Sequence, residues 1–131
     1  MLRVLERSLR ILRELRSRGR EAFVSDEAVQ DRVDRNAQLA AQAAADIALH
    51  IVAAAGGAAP ETYAAALLEL GRLGIVPDES CRRMADVARL RNVLVHGYAD
   101  LDHGRIFDEL GWLDDAAEFA AHVDRWLATA V

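Results

Sequence analysis

The chain has 131 residues, a net charge of −5 and 53% hydrophobic residues, with aromatics at only 5%, eight Gly, two Pro and one Cys. That length suits one domain, spanning 1–131, that can bury its own core. Abundant Ala and Leu beside scarce β-branched runs exclude a sheet and point to closely packed helices, and the overall acidity excludes a protein that coats nucleic acid without selectivity.

No 18-residue apolar run is free of charge, so no transmembrane helix and no membrane partner are expected. Met1–Arg7 interleaves charge with apolar residues and does not read as a signal peptide. The single cysteine, Cys81, allows no internal disulfide, which fits a reducing cytoplasm. Charge is unevenly placed. Residues 1–20 hold seven Arg against two Glu, which leaves −10 on the remainder, and every cation is arginine. The basic strip reads either as a phosphate-backbone contact or as an ordinary solvated face.

Leu2, Leu5, Leu9, Leu12 and Leu15 step by three and four and predict a helix over 2–17. Gly19, in the polar stretch 17–21, ends or bends it. Ser25 or Asp26 can cap the next helix, where Asp26 and Glu27 suit the positive N-terminal end. Val29, Val33, Ala37, Ala40, Ala44, Ile47 and Ile51 predict one long helix over about 26–55, stopped by Gly56-Gly57. At about 1.5 Å per residue it is roughly 45 Å long, enough for a spine. Pro60-Glu61 opens a third helix, with Tyr63, Leu67 and Leu70 on its inner face and Gly71 and Gly74 at its end. Pro77-Asp78-Glu79 opens a fourth, which runs to His96 and meets Gly97 as its C-terminal glycine. Asp100 or Asp102 caps a fifth, striped by Ile106, Leu110, Leu113, Ala117, Ala120, Val123 and Leu127. The pattern predicts an all-α antiparallel four-helix bundle with one additional short helix.

The polar cluster at the end of the fourth predicted helix is Arg91-Asn92-Val93-Leu94-Val95-His96-Gly97-Tyr98. At about 100° per residue, with Arg91 at zero, Met84 lies near 20° and Val87 near 320°. Arg91 thus falls in the apolar stripe, where an unpaired guanidinium is costly and needs a partner or a wet cleft. Asn92 and His96, four apart, fall on a flank shared with Ala85 and Ala88, near Arg89. Small residues there suit close approach of a second helix. Cleaving RNA without a metal needs a base near neutral pH, an acid for the leaving oxygen and cations for the phosphorane charge. Histidine and arginine supply these, and Asn92 can orient His96 or hold phosphate. One copy carries one such imidazole; a two-fold homodimer would bring two to a shared cleft. The plainer reading is a buried polar network that fixes helix packing.

Other candidates read more plainly. Asp46 and His50, four apart, could ligate a metal. No second carboxylate–histidine pair and no Glu-x-x-His accompany them, so the metal-bundle reading fails on ligand count. They read as a structural pair able to border the cleft. Cys81 reads as a buried thiol without a base, His103 and His122 as surface residues, and Trp112 and Trp126 as core. Nothing in the chain calls for a metal or cofactor.

Arg91-Asn92, three apolar residues, then His96-Gly97-Tyr98 resembles the Arg-x4-His-x-Tyr signature of the HepT-like family of HEPN-domain ribonuclease toxins. Asp46–Ile51, Pro60–Tyr63 and Leu70–Val76 follow that family's order, and the resemblance spans about 26–127. It implies an endoribonuclease, metal-independent and homodimeric, paired with an MntA-like nucleotidyltransferase antitoxin. Carried over, it implies that Arg91 and His96 are the catalytic pair supported by Asn92, and that Tyr98 is the residue the antitoxin modifies with AMP. Arg89, Asp46 and His50 are candidates for cleft or RNA contact. The rival expectation is a helical partner of a nucleotidyltransferase that binds nucleotide through Arg91 and His96 without cutting RNA.

Overall fold

A computed structural model describes the backbone of residues 1–96 and 102–129, and the side chains of these except 90–96. The described residues form seven helices and no strand: α1 (Leu2–Ser17), α2 (Arg20–Ser25), α3 (Glu27–Ala54), α4 (Tyr63–Arg72), α5 (Asp78–His96), α6 (His103–Asp108) and α7 (Trp112–Thr129). The expected all-α bundle is present: α1, α3, α5 and α7 are the long helices, α4 is the additional short one, and α2 and α6 are two further helices of six residues.

The leucine stripe of α1 is buried from Leu5 to Leu15, and the valine–alanine–isoleucine stripe of α3 from Val29 to Ile51. Fully burying one such Leu contributes about 1.5–3 kcal/mol. Alanine matters in a different way. Ala37, Ala40, Ala41, Ala44, Ala45 and Ala48 are buried along α3, and small side chains let α1, α4 and α5 all pack against this one helix. By length and composition α3 could cross a membrane, but its apolar surface faces other helices, with 56% of the most apolar window buried. α7 closes the ring by packing on α1 and α5.

Directions follow from which ends meet. Met1 and Leu2 share a groove with Ile51 and Ala54 of α3 and with Trp126 and Leu127 of α7. At the other end, the Arg16 guanidinium donates to the Leu110 carbonyl at 3.4 Å and pairs with Asp114 at 3.7 Å. α1 therefore runs opposite to α3 and α7. Arg83, in the second turn of α5, reaches Asp115 and Glu118 at 3.5 and 3.9 Å, so α5 and α7 meet through their N-terminal halves.

Local chemistry sets the breaks. Gly19 takes φ 95°, a conformation costly for other residues, and turns the chain from α1 into α2. Asp26 caps α3, its carboxylate accepting from the Ala28 and Val29 amides at 2.9 and 3.4 Å. Gly71 allows α4 to lie against the start of α5, since a Cβ there would come within 2.7 Å of Asp78 Oδ1. Two boundaries differ from expectation. α4 begins at Tyr63, not at Pro60, because Thr62 is extended and its hydroxyl accepts from the Ala65 amide at 3.0 Å. The expected single helix after Asp102 is two helices separated by a turn at 109–111. Asp102 caps α6, Gly111 sits in the turn where a helix interior would cost it backbone entropy, and buried Leu110 anchors the junction.

α2 and α6 clasp one end of α3. Phe23 stacks tilted on Phe107 at 5.7 Å and edge-on to His103 at 5.9 Å, and Arg20 pairs with Asp108 at 2.9 Å. Gln30 of α3 donates to the Phe23 and Val24 carbonyls at 3.1 and 2.9 Å, satisfying the end of α2. His103, expected at the surface, instead has a buried Nδ1. Close by, the Asp34 carboxylate is 2% exposed, and among the described residues neither of its oxygens has a hydrogen-bond partner. Burial pushes its pKa up; the neighbouring His103 opposes this and Asp31 adds to it. A cavity of about 20 Å³ beside Asp34, walled by Val33, Ile106 and Trp112, has room for one water.

Asp26→Ala should cost about 1 kcal/mol of stability in urea unfolding, through loss of the α3 cap. Because burial raises the folded-state pKa of Asp34, the folded chain holds a proton that the unfolded chain releases above the ordinary carboxylate range, so stability falls as pH rises through that window. Asp34→Asn should therefore raise stability by about 1 kcal/mol at pH 7. Thermal unfolding should show the gain shrinking as pH drops toward the ordinary carboxylate range and absent below it.

Candidate active site

α5 carries positions 91, 92 and 96 in its last two turns. Its apolar stripe is buried at Cys81, Met84 and Val87, and its small-residue flank at Ala85 and Ala88. Asp78 and Glu79 favour its N-terminal end, and the backbone stays helical through His96. Positions 91, 92 and 96 thus continue the register of that stripe and flank over the last two turns. The side chains of Arg91, Asn92 and His96, and Tyr98 altogether, lie outside the described residues.

The cleft before those turns has a volume of about 520 Å³. Its walls are Leu49 of α3, the stretch from Pro60 to Ala64, and Ala88 and Arg89 of α5. Arg89 lies on the exposed rim and pairs with Asp86, one turn back, at 2.7 Å. Such an exposed pair contributes little to stability and leaves the guanidinium able to exchange partners.

One polar network was not foreseen. The Gln42 amide donates to Asp46 Oδ1 at 3.1 Å and to the Tyr63 hydroxyl at 2.8 Å. It ties the half-buried face of α3 to the first residue of α4, and so fixes the tyrosine on the cleft wall. Gln42 and Asp46 are four apart on a helix, which is a readable signal; Tyr63 joins them only through the fold. The expected Asp46–His50 pair separates. Asp46 turns to Gln42, while His50 is exposed and borders a different groove, with Ile47, Ile51 and Trp126. Among the described residues no three His, Cys, Asp or Glu side chains converge.

Cys81 is buried as expected, its thiol pointing to the Val76 carbonyl at 3.8 Å. Burial, aided by Asp78, pushes its pKa up to about 11, which makes it a poor nucleophile. Trp112 and Trp126 pack against the core while partly exposed. His122 is partly buried, 3.6 Å from Glu118.

Comparison with known proteins bears on this arrangement. Residues 5–123 match the family described as Ribonuclease HepT-like. The chain is 32% identical over 106 residues to a tRNA nuclease HepT of Aphanizomenon flos-aquae, covering 81% of this chain and 72% of that protein. Its fold is similar to that of the tri-AMPylated Shewanella oneidensis HEPN toxin solved in complex with an MNT antitoxin, with a TM-score of 0.84, 22% identity and coverage of 95% and 93% of the two chains. It is also similar to a chain of a mutant MntA–HpeT toxin–antitoxin structure, with a TM-score of 0.75, 21% identity and coverage of 93% and 98%. With the Arg-x4-His-x-Tyr spacing at the end of α5 and the family match over nearly the whole chain, this protein belongs to the HepT-like ribonuclease family.

Proposed function

We propose that this chain is the ribonuclease toxin of a toxin–antitoxin pair, acting in the cytoplasm as a homodimer on RNA without a metal. The observation that carries the reading is the match to the ribonuclease family over residues 5–123, supported by the spacing of Arg91, Asn92 and His96 along the last turns of α5. The relative from Aphanizomenon flos-aquae is a tRNA nuclease, which makes tRNA the first substrate to try.

In this mechanism one His96 imidazole, a group type suited to proton transfer near neutral pH, accepts the proton of the ribose 2′-hydroxyl. The 2′-oxygen attacks phosphorus, the bond to the 5′-oxygen breaks, and a protonated imidazole delivers a proton to that leaving oxygen. The products are a 2′,3′-cyclic phosphate and a 5′-hydroxyl. Arg91 stabilises the charge that builds on the phosphorane oxygens, and Asn92 orients His96. Two copies of α5 facing each other would supply both imidazoles, the reason for proposing a homodimer. Arg89 borders the cleft and is available to the RNA strand.

Tyr98, two residues beyond His96, is the proposed AMP acceptor for an MntA-like nucleotidyltransferase antitoxin. The similar Shewanella oneidensis toxin is tri-AMPylated and bound to an MNT antitoxin, which supports this. Nucleotide added there brings negative charge and bulk next to the catalytic imidazole, which repels the substrate phosphates.

The purified dimer should cut tRNA in the presence of a chelator, and His96→Ala or Arg91→Ala should lower the rate by about 10²–10⁴-fold; no cutting by the wild type, or cutting unchanged in both variants, would refute the reading. After co-expression with the antitoxin, peptide mass spectrometry should place one or more AMP groups on Tyr98, and Tyr98→Phe should stay unmodified and active. AMP mapped to another residue would overturn that assignment.

A further inference from the structure

The arginines of this protein divide into two groups. Most of those described hold an ion pair or a hydrogen bond, as Arg13, Arg16, Arg72, Arg83 and Arg105 do. Among the described residues, the guanidiniums of Arg3, Arg7, Arg10, Arg32 and Arg35 hold neither. All five are exposed and lie on α1 or in the first three turns of α3. Arg7, Arg32 and Arg35 surround one groove between these helices, with a volume of about 410 Å³, in which Asp31 is the one acid. Val4, Ile11 and Leu39 supply apolar surface to the same groove. In a chain of net charge −5, three guanidiniums gathered on a groove lined by one acid leave a local excess of positive charge, which attracts a polyanion.

The groove is connected to the cleft through α3. Arg35, Gln42, Asp46 and Leu49 lie within about 60° of each other around the helix axis, and none of the four is fully buried. Arg35 and Leu49 are about 21 Å apart along that axis, the length of about six stacked nucleotides at about 3.4 Å each. Apolar surface between forked cations suits a single strand, whose bases offer flat apolar faces and whose phosphates accept two N–H bonds from each guanidinium.

We propose that the α1–α3 groove is an RNA-anchoring site, in which Arg7, Arg32 and Arg35 hold phosphates of a single strand whose scissile bond lies at the end of α5. The inference rests on the ribonuclease reading for the identity of the polyanion. The three arginines are binding residues remote from the reacting atoms.

The test measures binding without cutting. Full-length dimer carrying His96→Ala is titrated into a labelled single-stranded RNA of about twenty nucleotides at several salt concentrations. Adding Arg7→Glu, Arg32→Glu and Arg35→Glu should weaken Kd at least 10-fold at low salt and lower the salt slope by about two, as three phosphate contacts at about 0.7 each predict. The matching Arg→Lys triple should keep the slope. A control with the same charge change away from the groove, Arg72→Glu, Arg82→Glu and Arg105→Glu, should weaken binding far less. Circular dichroism confirms folding of each variant. Equal weakening by groove and control triples overturns the proposal, as does loss of antitoxin capture with RNA affinity equal to the control's, which would make the groove a protein-docking surface. Wild type that binds this RNA through the groove but cuts none would sink the ribonuclease reading alone.

Discussion

The close approach of α1, α4 and α5 to the alanine faces of α3 is the contact from which the rest of the molecule takes its shape. A helix with large side chains all round would hold its neighbours at the wider end of the usual 8–10 Å spacing. Ala40, Ala44 and Ala48 remove that bulk on α3, and Ala85 and Ala88 do so on α5. Gly71 repeats the device where α4 meets Asp78 and Cys81. The cleft of about 520 Å³ exists because Leu49, the 60–64 stretch and the second half of α5 are held at one level by these contacts. The backbone of α5 that carries positions 91, 92 and 96 is thus positioned by a core in which alanines line α3 and α5.

Polar groups then specify what the apolar contacts leave loose. Gln30 satisfies two carbonyls at the end of α2, and Gln42 joins Asp46 to Tyr63 at the cleft. Both are amides that donate to fixed acceptors, so they select one arrangement of neighbouring elements at little desolvation cost. Asp34 is different: it is buried beside His103 with its pKa raised, a local cost that the clasp of Phe23 and Phe107 against α3 offsets. The exposed arginine–carboxylate pairs each contribute little. Their distribution is more informative than their energy, because it leaves the unpaired guanidiniums together on α1 and α3.

Much of the fold was legible along the chain. The period of the leucines in α1 and of the valine, alanine and isoleucine residues in α3 marks buried faces, because a helix that must cover a core repeats its apolar residues at 3.6. Asp26 and Asp102 were each one of two cap candidates along the chain, beside Ser25 and Asp100, and the structure selects them. Other features were not legible. Thr62 outcompetes Pro60-Glu61 as the start of α4, since a hydroxyl that accepts a backbone amide fixes the first turn more firmly than a proline that only tolerates it. The division into α6 and α7 was masked by an apolar stripe that continues across Leu110. His103 looked like a surface residue because nothing near it in sequence reveals Phe23. Asp46 and His50 share a helix face by spacing, yet Gln42 claims the carboxylate while the imidazole borders another groove.

The sequence by itself determined the helical class, the positions of the long helices and the spacing of Arg91, Asn92, His96 and Tyr98, because these depend on periodicity and on local capping, which are short-range. Only the tertiary structure decided which walls the cleft has, that Gln42 bridges Asp46 and Tyr63, and that Arg7 meets Arg32 and Arg35 around one groove. Those residues are far apart along the chain, and no local pattern encodes the packing of α1, α4 and α5 on α3 that brings them together.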